Sequence, residues 1–312
     1  MPFYLFLRKP RKIFYLLSVS LWLVFGASSL MDRIFGFVRL IRPINGFMMS
    51  LAVLIGAWIA STDNPPSSII WDLLLGAITA FTLTGASMAI NDYCDYEIDK
   101  INEPGRPLPS GVVSLRESLI LASALTIIGL LASLLINWRT TLLAFISIIV
   151  SVSYAFMGKR TGLLGNFMVS LCVAVPFIYG GLIVAEGLSL KILFFSLMAF
   201  LSNAGREVMK GIVDVEGDRS KGIRTVAVIH GERAAAYTAA ILILSAVLLS
   251  VVPPLTGMVS AWFIPFVTAA DIGFIASSLL IIQRPTRENA RRLKNLLLAW
   301  MMLGMIAFLA GK

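Results

Sequence analysis

Asp72 to Lys100 reads DLLLGAITAFTLTGASMAINDYCDYEIDK, an apolar run long enough to cross a bilayer that ends at once in four acids, Asp92, Asp95, Glu97 and Asp99. A carboxylate at membrane depth costs roughly 3 kcal/mol on insertion scales, so this many must be compensated by cations, water or a substrate. A second apolar run ends the same way, in Asp214-Val215-Glu216-Gly217-Asp218-Arg219. Both clusters read D-x-E-x-D followed by a base, and Asp95 and Asp214 are 119 residues apart.

Around these clusters the chain is apolar throughout. Of its 312 residues, 58% are hydrophobic and only 14% charged, with a mean hydropathy of +0.88. That balance excludes a soluble globular protein. With about 20 apolar residues needed to cross, nine spans fall near 44–61, 72–90, 117–136, 141–157, 163–183, 190–210, 234–252, 257–282 and 293–310. Short connections and the lack of a Ser/Gly-rich linker make residues 42–312 one domain. The expected fold is an all-α integral membrane protein, nine transmembrane helices in one bundle around a cytoplasm-facing cavity.

The net charge of +9 invites nucleic acid, but the bases are scattered among the connections between spans. Nineteen Lys and Arg fall between spans on one side, against Arg139, Lys191 and Lys312 on the other. Cytoplasmic loops are the ones enriched in Lys and Arg, so both acidic clusters are expected on the cytoplasmic face of a multi-pass cell-membrane protein. Neither nucleic acid nor an obligate protein partner is implied. Residues 1–41 form an N-terminal extension in which Arg8, Lys9, Arg11 and Lys12 precede an apolar run from Ile13 to Met31. It reads as a signal-like core with Met31 a candidate start, an interfacial segment or a tenth helix.

Cys94 and Cys172 stand far apart with one histidine, His230, expected in a loop before Gly231. That scarcity excludes zinc, haem, iron–sulfur and disulfide frameworks, and leaves no base for a serine or cysteine triad.

On a continuous helix Asp92, Asp95 and Asp99 stand at i, i+3 and i+7, one face, with Asn91 one turn before Asp95. Glu207, Asp214 and Asp218 share a face in the same way, unless Gly217 ends that helix early. Like charges this close need cations between them. Mg2+ takes oxygen ligands, keeps several waters and bridges a few carboxylates to substrate phosphates, so the fitting guest is a diphosphate. Arg106, Lys159, Arg160, Lys210, Arg219, Lys221 and Arg224 supply the complementary positive charge. Glu97 and Glu216 lie off the acidic stripe and read as solvated. A single such cluster would read as ordinary loop, and Lys159-Arg160 alone as a sidedness marker. Two matching clusters on one face read as two halves presenting equivalent helix ends to a common cavity.

Asn91-Asp92-x-x-Asp95-x-x-x-Asp99, followed by Asn102-x-Pro104-x-Arg106-Pro107, resembles the first motif of the UbiA superfamily of intramembrane prenyltransferases, and Asp214-x-x-x-Asp218 its second. The likeness covers about residues 38–312, including Arg42-Pro43-Ile44-Asn45 and Tyr154 with Gly158-Lys159-Arg160-Thr161-Gly162. Within it, LIRPINGFMM, KRTGLLGN and REVMKGIVDVEGD are most similar to the archaeal digeranylgeranylglyceryl phosphate synthase subfamily. The resemblance implies Mg2+ on both motifs, with Asn91, Asp95 and Asp99 holding one ion and Asp214 and Asp218 the other. It also implies a prenyl diphosphate lined by Asn45, Arg106, Tyr154, Lys159 and Lys210, and a lipid-phosphate acceptor. One departure stands out: relatives often carry an acid where this chain has Gly211, and another at Val213. The second ion is then left to Asp214 and Asp218 with extra water, or to Glu207 reaching in.

The chemistry implied is Mg2+-dependent transfer of a geranylgeranyl group to the hydroxyl of geranylgeranylglyceryl phosphate. An unactivated hydroxyl is a weak nucleophile, so the allylic C–O bond breaks first and leaves a carbocation in a dry tunnel. Aromatic faces stabilise such a cation by about 2 kcal/mol when desolvated, and Tyr93, Tyr154, Phe156 and Phe47 are the candidates beside the ordinary reading of membrane aromatics as packing. The rival readings are an aromatic acceptor of hydroxybenzoate, naphthoate or porphyrin type, a cation-coupled transporter, and a noncatalytic isoprenoid binder. Transport places acids at the midplane in broken helices, whereas these lie at the ends of spans.

Overall fold

The structure is a computed structural model that describes residues 30–61, 69–185, 189–220 and 222–312, the side chains of 101 and 102 apart. Lys221 and most of the Ile13–Met31 run lie outside the described residues. The first described helix, α1, covers 30–41. It is followed by α2 (Pro43–Ala60), α3 (Ile69–Cys94), the short α4 (Tyr96–Asn102), α5 (Leu115–Leu134), α6 (Trp138–Phe156) and a 3-10 turn at Gly158–Thr161. Then come α7 (Leu163–Val184), α8 (Leu190–Val213), the short α9 (Val215–Ser220), α10 (Val226–Ser250), the one-turn α11 (Val252–Leu255), α12 (Phe263–Gln283) and α13 (Arg287–Ala310). Nine of these described helices are long and apolar enough to cross a membrane, in the order expected.

Local signals set the starts of these helices. Ser114 and Glu117 form a capping box at α5, and Asn137, Ser189, Thr225 and Thr286 each accept a backbone N–H at the start of α6, α8, α10 and α13. Each cap satisfies a donor that the first helical turn leaves without a partner. Several boundaries move from expectation. The eighth span begins at Phe263 rather than 257, after a turn in which Gly257 takes φ +69°. The ninth begins at Arg287, because a charged first turn hides its start from an apolar-run reading. His230 is exposed in a short helical stretch rather than a loop, ended by Gly231 at φ +86°.

The packed body also reaches further toward the N terminus than the expected boundary at residue 42. Leu40 on α1 is fully buried with Ala89, Leu108, Val113 and Ala122, and Arg39 donates to the Gly105 carbonyl at 3.2 Å. Arg33 pairs with Glu117 at the start of α5.

Helix α2 packs against α3, α7, α8 and α13, and so stands near the middle of the bundle; α8 packs on α7, α10 and α13. A shift of 119 residues lays α3 on α8, α4 on α9 and α5 on the later part of α10. The two acidic clusters therefore close equivalent helices of a structural repeat.

Small residues let these helices approach as membrane helices do. A Cβ added at Gly56 would fall 2.0 Å from the Phe177 carbonyl oxygen, and one at Gly180 would fall 1.9 Å from that of Val53. Backbone meets backbone on both sides of the α2–α7 contact, and neither side can yield. Gly56→Ala is expected to cost at least about 2 kcal/mol, the upper part of the overpacking range. Gly304→Ala, where no atom lies within 4 Å, is the control. Thermal unfolding in detergent checks both, and equal midpoints would refute the close approach.

Candidate active site

Neither acidic cluster lies on one continuous helix. Helix α3 stops at Cys94, Asp95 sits at φ −89°, ψ 1°, and α4 restarts at Tyr96. Helix α8 stops at Val213, Asp214 sits at φ −100°, ψ 5°, and α9 restarts at Val215, with Gly217 inside it. The hydrogen bonds across the two breaks match: Asp95 N to Asn91 O and Asp99 N to Asp95 O, then Asp214 N to Lys210 O and Asp218 N to Asp214 O. Each cluster therefore carries a bend with an aspartate at its apex, across which the i to i−4 bonding of a helix continues. The i, i+3, i+7 spacing satisfies helical periodicity and hides that bend.

The bend divides the first cluster. Asp92, only 4% exposed, pairs with Arg42 at 2.5 Å and with Arg106 at 3.7 Å. Asp99, equally buried, pairs with Arg106 at 2.5 Å. Burial pushes the Asp99 carboxyl above its ordinary value, against the pull of Arg106. Asp95 at the apex pairs with Lys159 and stays within Coulombic range of Asp99. Arg42 is the one described non-glycine residue at positive φ, +49°. A residue ahead of proline resists continuing a helix, and Pro43 starts α2 directly after it. Arg42 also donates to the Met88 sulfur, which the Asn45 amide approaches at 3.7 Å.

In the second cluster Glu207 is buried and already held, by Arg206 at 2.7 Å and Lys210 at 3.4 Å. It does not reach toward Asp218 as the sequence allowed. Asp214 is exposed and Asp218 half-buried. Lys294 on α13 lies within Coulombic range of Asp214 and Glu207. Arg206 Nε donates to the Lys294 carbonyl at 3.2 Å, tying α8 to α13.

The two clusters meet at one end of the bundle. Tyr154, near the end of α6, lies within Coulombic range of Asp95 on one side and of Lys210, Glu207 and Asp218 on the other. A cavity of about 430 Å³ is lined by Tyr93, Asp95, Phe156, Lys159 and Arg160 from the first half and Ile223 from the second. Gly162 locks the two loops together: it takes φ +68°, and a Cβ there would lie 2.3 Å from the Arg224 carbonyl oxygen. The Arg224 side chain itself is exposed, as is that of Arg219. Phe47 is exposed and meets Phe81 edge-on, away from the other candidate aromatics. Glu97 pairs with Lys100 and Glu216 with Arg287 at the surface, as solvated acids do.

Arg42 as a partner of Asp92, Arg206 and Lys294 were not picked out as site residues from the sequence. Each read as a positive-inside base, and only tertiary contact separates them from the rest. Asp271 was also missed, although an acid inside an apolar span was a visible signal. It lines an apolar cavity with its carboxylate 2.7 Å from the Ser250 hydroxyl.

The model of the UbiA prenyltransferase family matches residues 49–306. The digeranylgeranylglyceryl phosphate synthase of Archaeoglobus fulgidus is 36% identical, over 87% of this chain and 93% of that protein. That of Natronomonas pharaonis is 35% identical, over 90% and 98%. A solved structure described as giving insights into digeranylgeranylglyceryl phosphate synthase in membranes superposes with a TM-score of 0.74 at 30% identity, over 90% of this chain and 98% of that one. A UbiA homologue from Archaeoglobus fulgidus bound to GPP and Mg2+ shares the fold, with a TM-score of 0.64 at 18% identity over 88% and 99%.

The departure at Gly211 is not forced by space. A Cβ there would meet Thr225 at 3.6 Å, ordinary contact. Glycine inside a helix costs up to about 1 kcal/mol relative to alanine. Gly211→Ala is therefore expected to raise the thermal midpoint; a lower midpoint would show that this position needs glycine.

Proposed function

Because the chain belongs to the UbiA prenyltransferase family, we propose that it transfers a geranylgeranyl group from its diphosphate to the hydroxyl of geranylgeranylglyceryl phosphate, forming the product named for its 30–36% identical relatives. The observation that carries this reading is the pair of matching aspartate bends on one end of the bundle, with Tyr154 between them. The excess of Lys and Arg on that end supports a cytoplasmic location for it.

The donor set supports Mg2+. The aspartates offer only carboxylate oxygens, although among the described residues no three His, Cys, Asp or Glu side chains come close enough together to hold an ion by themselves. Such a set suits an ion that keeps its waters and shares phosphate oxygens with a substrate. Asp95 and Asp99 with Asn91, and Asp214 with Asp218, would hold it. Asp92, clasped by Arg42 and Arg106, anchors those bases instead. When bound, the ions draw electrons from the diphosphate and neutralise the charge that grows as it leaves.

The chain's own groups do the rest. Lys159 and Arg106, positioned on Asp95 and Asp99, present N–H donors to the departing oxygens. Tyr154 and the apolar walls below it keep water from the allylic carbon. Once the allylic C–O bond has broken to release diphosphate, the weak acceptor hydroxyl captures that carbon and its proton passes to the released diphosphate. Acids paired with bases beside a diphosphate-sized cavity favour this reading over ion transport, since they stand at the helix ends.

Purified protein with Mg2+, geranylgeranyl diphosphate and geranylgeranylglyceryl phosphate should yield a product of the summed prenyl mass. Chelation with EDTA should stop the reaction, and Mg2+ should restore it. Asp95→Asn and Asp218→Asn should each lower kcat by roughly a hundredfold or more, as loss of a group acting in the transition state does. Prenylation of an aromatic acid, with none of the lipid phosphate, would overturn the proposal.

A further inference from the structure

Two narrow apolar cavities run down the bundle, and each opens below a different charged group. Ser87 on α3, Ser151 on α6 and Cys172 on α7 line the first. Ser87 is one turn below Asn91, so this cavity lies under the Asp95–Lys159 pair. Ser202 on α8, Phe274 on α12 and Met301 on α13 line the second. Arg206 is one turn above Ser202, about 6 Å, and Lys294 is two turns above Met301, about 10 Å, at 1.5 Å per residue. Met49 of α2 faces both cavities, which are therefore neighbours.

The charge above the two cavities differs. Under the first group Asp92, Asp95 and Asp99 each have a base, and Arg42, Arg106 and Lys159 are all engaged. Above the second, Arg206 and Lys210 share one acid, Glu207. Among the described residues no carboxylate lies within 4.0 Å of Lys294, although Asp214 and Glu207 stand within Coulombic range, and the Arg206 bond to its main-chain carbonyl ties α8 to α13 at this point. An apolar cavity with three bases near its mouth, one of them without a close acid, fits an amphiphile with an anionic head and a hydrocarbon tail.

Resting on the function proposed above, we infer that Arg206 and Lys294 hold the phosphate of the acceptor lipid, whose isoprenoid chain occupies the cavity beneath them. The donor diphosphate is left to the aspartate bends. The second cavity is about 70 Å³, so the chain enters by displacing side chains. Met48, Met49, Met198, Met301 and Met305 line it, and unbranched thioethers rearrange readily.

Steady-state kinetics with both substrates test this. Lys294→Gln should raise the acceptor KM by about tenfold or more and leave the donor KM within about twofold, the pattern of lost binding to one substrate. Lys294→Arg should restore the acceptor KM. Wild-type protein should prefer geranylgeranylglyceryl phosphate over phosphate-free geranylgeranylglycerol by about tenfold or more, and Lys294→Gln should lose most of that preference. An unchanged acceptor KM, or an equal rise for the donor, would overturn the inference while leaving the reaction intact. Should Lys294→Gln fail to fold, equal use of the two acceptors by wild type overturns it. No product from wild type with either acceptor would instead refute the proposed function.

Discussion

Carboxylates buried at the ends of apolar helices are tolerable only beside cations, and in this protein the cations come from distant segments of chain. Asp92 takes Arg42 from the start of α2 and Arg106 from the loop after α4; Asp95 takes Lys159 from beyond α6. Removing one partner of a buried pair leaves an uncompensated charge, at a cost of 3–5 kcal/mol where both are fully buried. The pairs therefore bind three connections into one surface. The left-handed backbone of Arg42 belongs to the same constraint: a sparsely populated conformation costs of order 1 kcal/mol or more and persists where the surroundings fix it. Pro43 and the Asp92 carboxylate do that here.

The helix breaks at Asp95 and Asp214 give the bends their chemical use. On a straight helix three acids of one stripe would face the same neighbour. At the bend Asp99 pairs with Arg106 while Asp95 pairs with Lys159 at the wall of the cavity. One motif thus gathers bases from two directions. The repeat builds this device twice, then departs from symmetry in charge. The first copy pairs each acid closely with a base, whereas in the second Arg206 and Lys210 share Glu207, and Lys294 on α13 stands within Coulombic range of Asp214 and Glu207 without a close ion pair.

The spans were legible because apolar length alone decides them, and α2, α7 and α8 begin within a residue of their expected starts. The charged first turn of α13 was not, since it resembles a loop until tertiary contact brings Lys294 inward. The aspartate motifs were legible as composition, but their geometry was not. A spacing of i, i+3 and i+7 satisfies a helix, and only the backbone at Asp95 and Asp214 shows where each one ends. Ion partners were the least legible part: Arg42 and Asp92 are separated by 50 residues, and in sequence Arg42 looks like any other base flanking a span.

Gly211 connects these points. In the family pattern an acid often stands here, and the structure leaves room for a side chain, so steric exclusion does not explain the glycine. Glu207 does not replace the missing acid, because Arg206 and Lys210 already hold it. An aspartate at 211 would stand one turn from both Glu207 and Asp214, adding a third acid to one helix face. It would also cancel part of the positive charge shared by Arg206, Lys210 and Lys294. The glycine thus limits the acids around Arg206, Lys210 and Lys294 to Glu207 and Asp214, with Asp218 beyond them. For a site inferred to hold a lipid phosphate beside a diphosphate, one acid fewer next to those bases leaves them more open to the ligand.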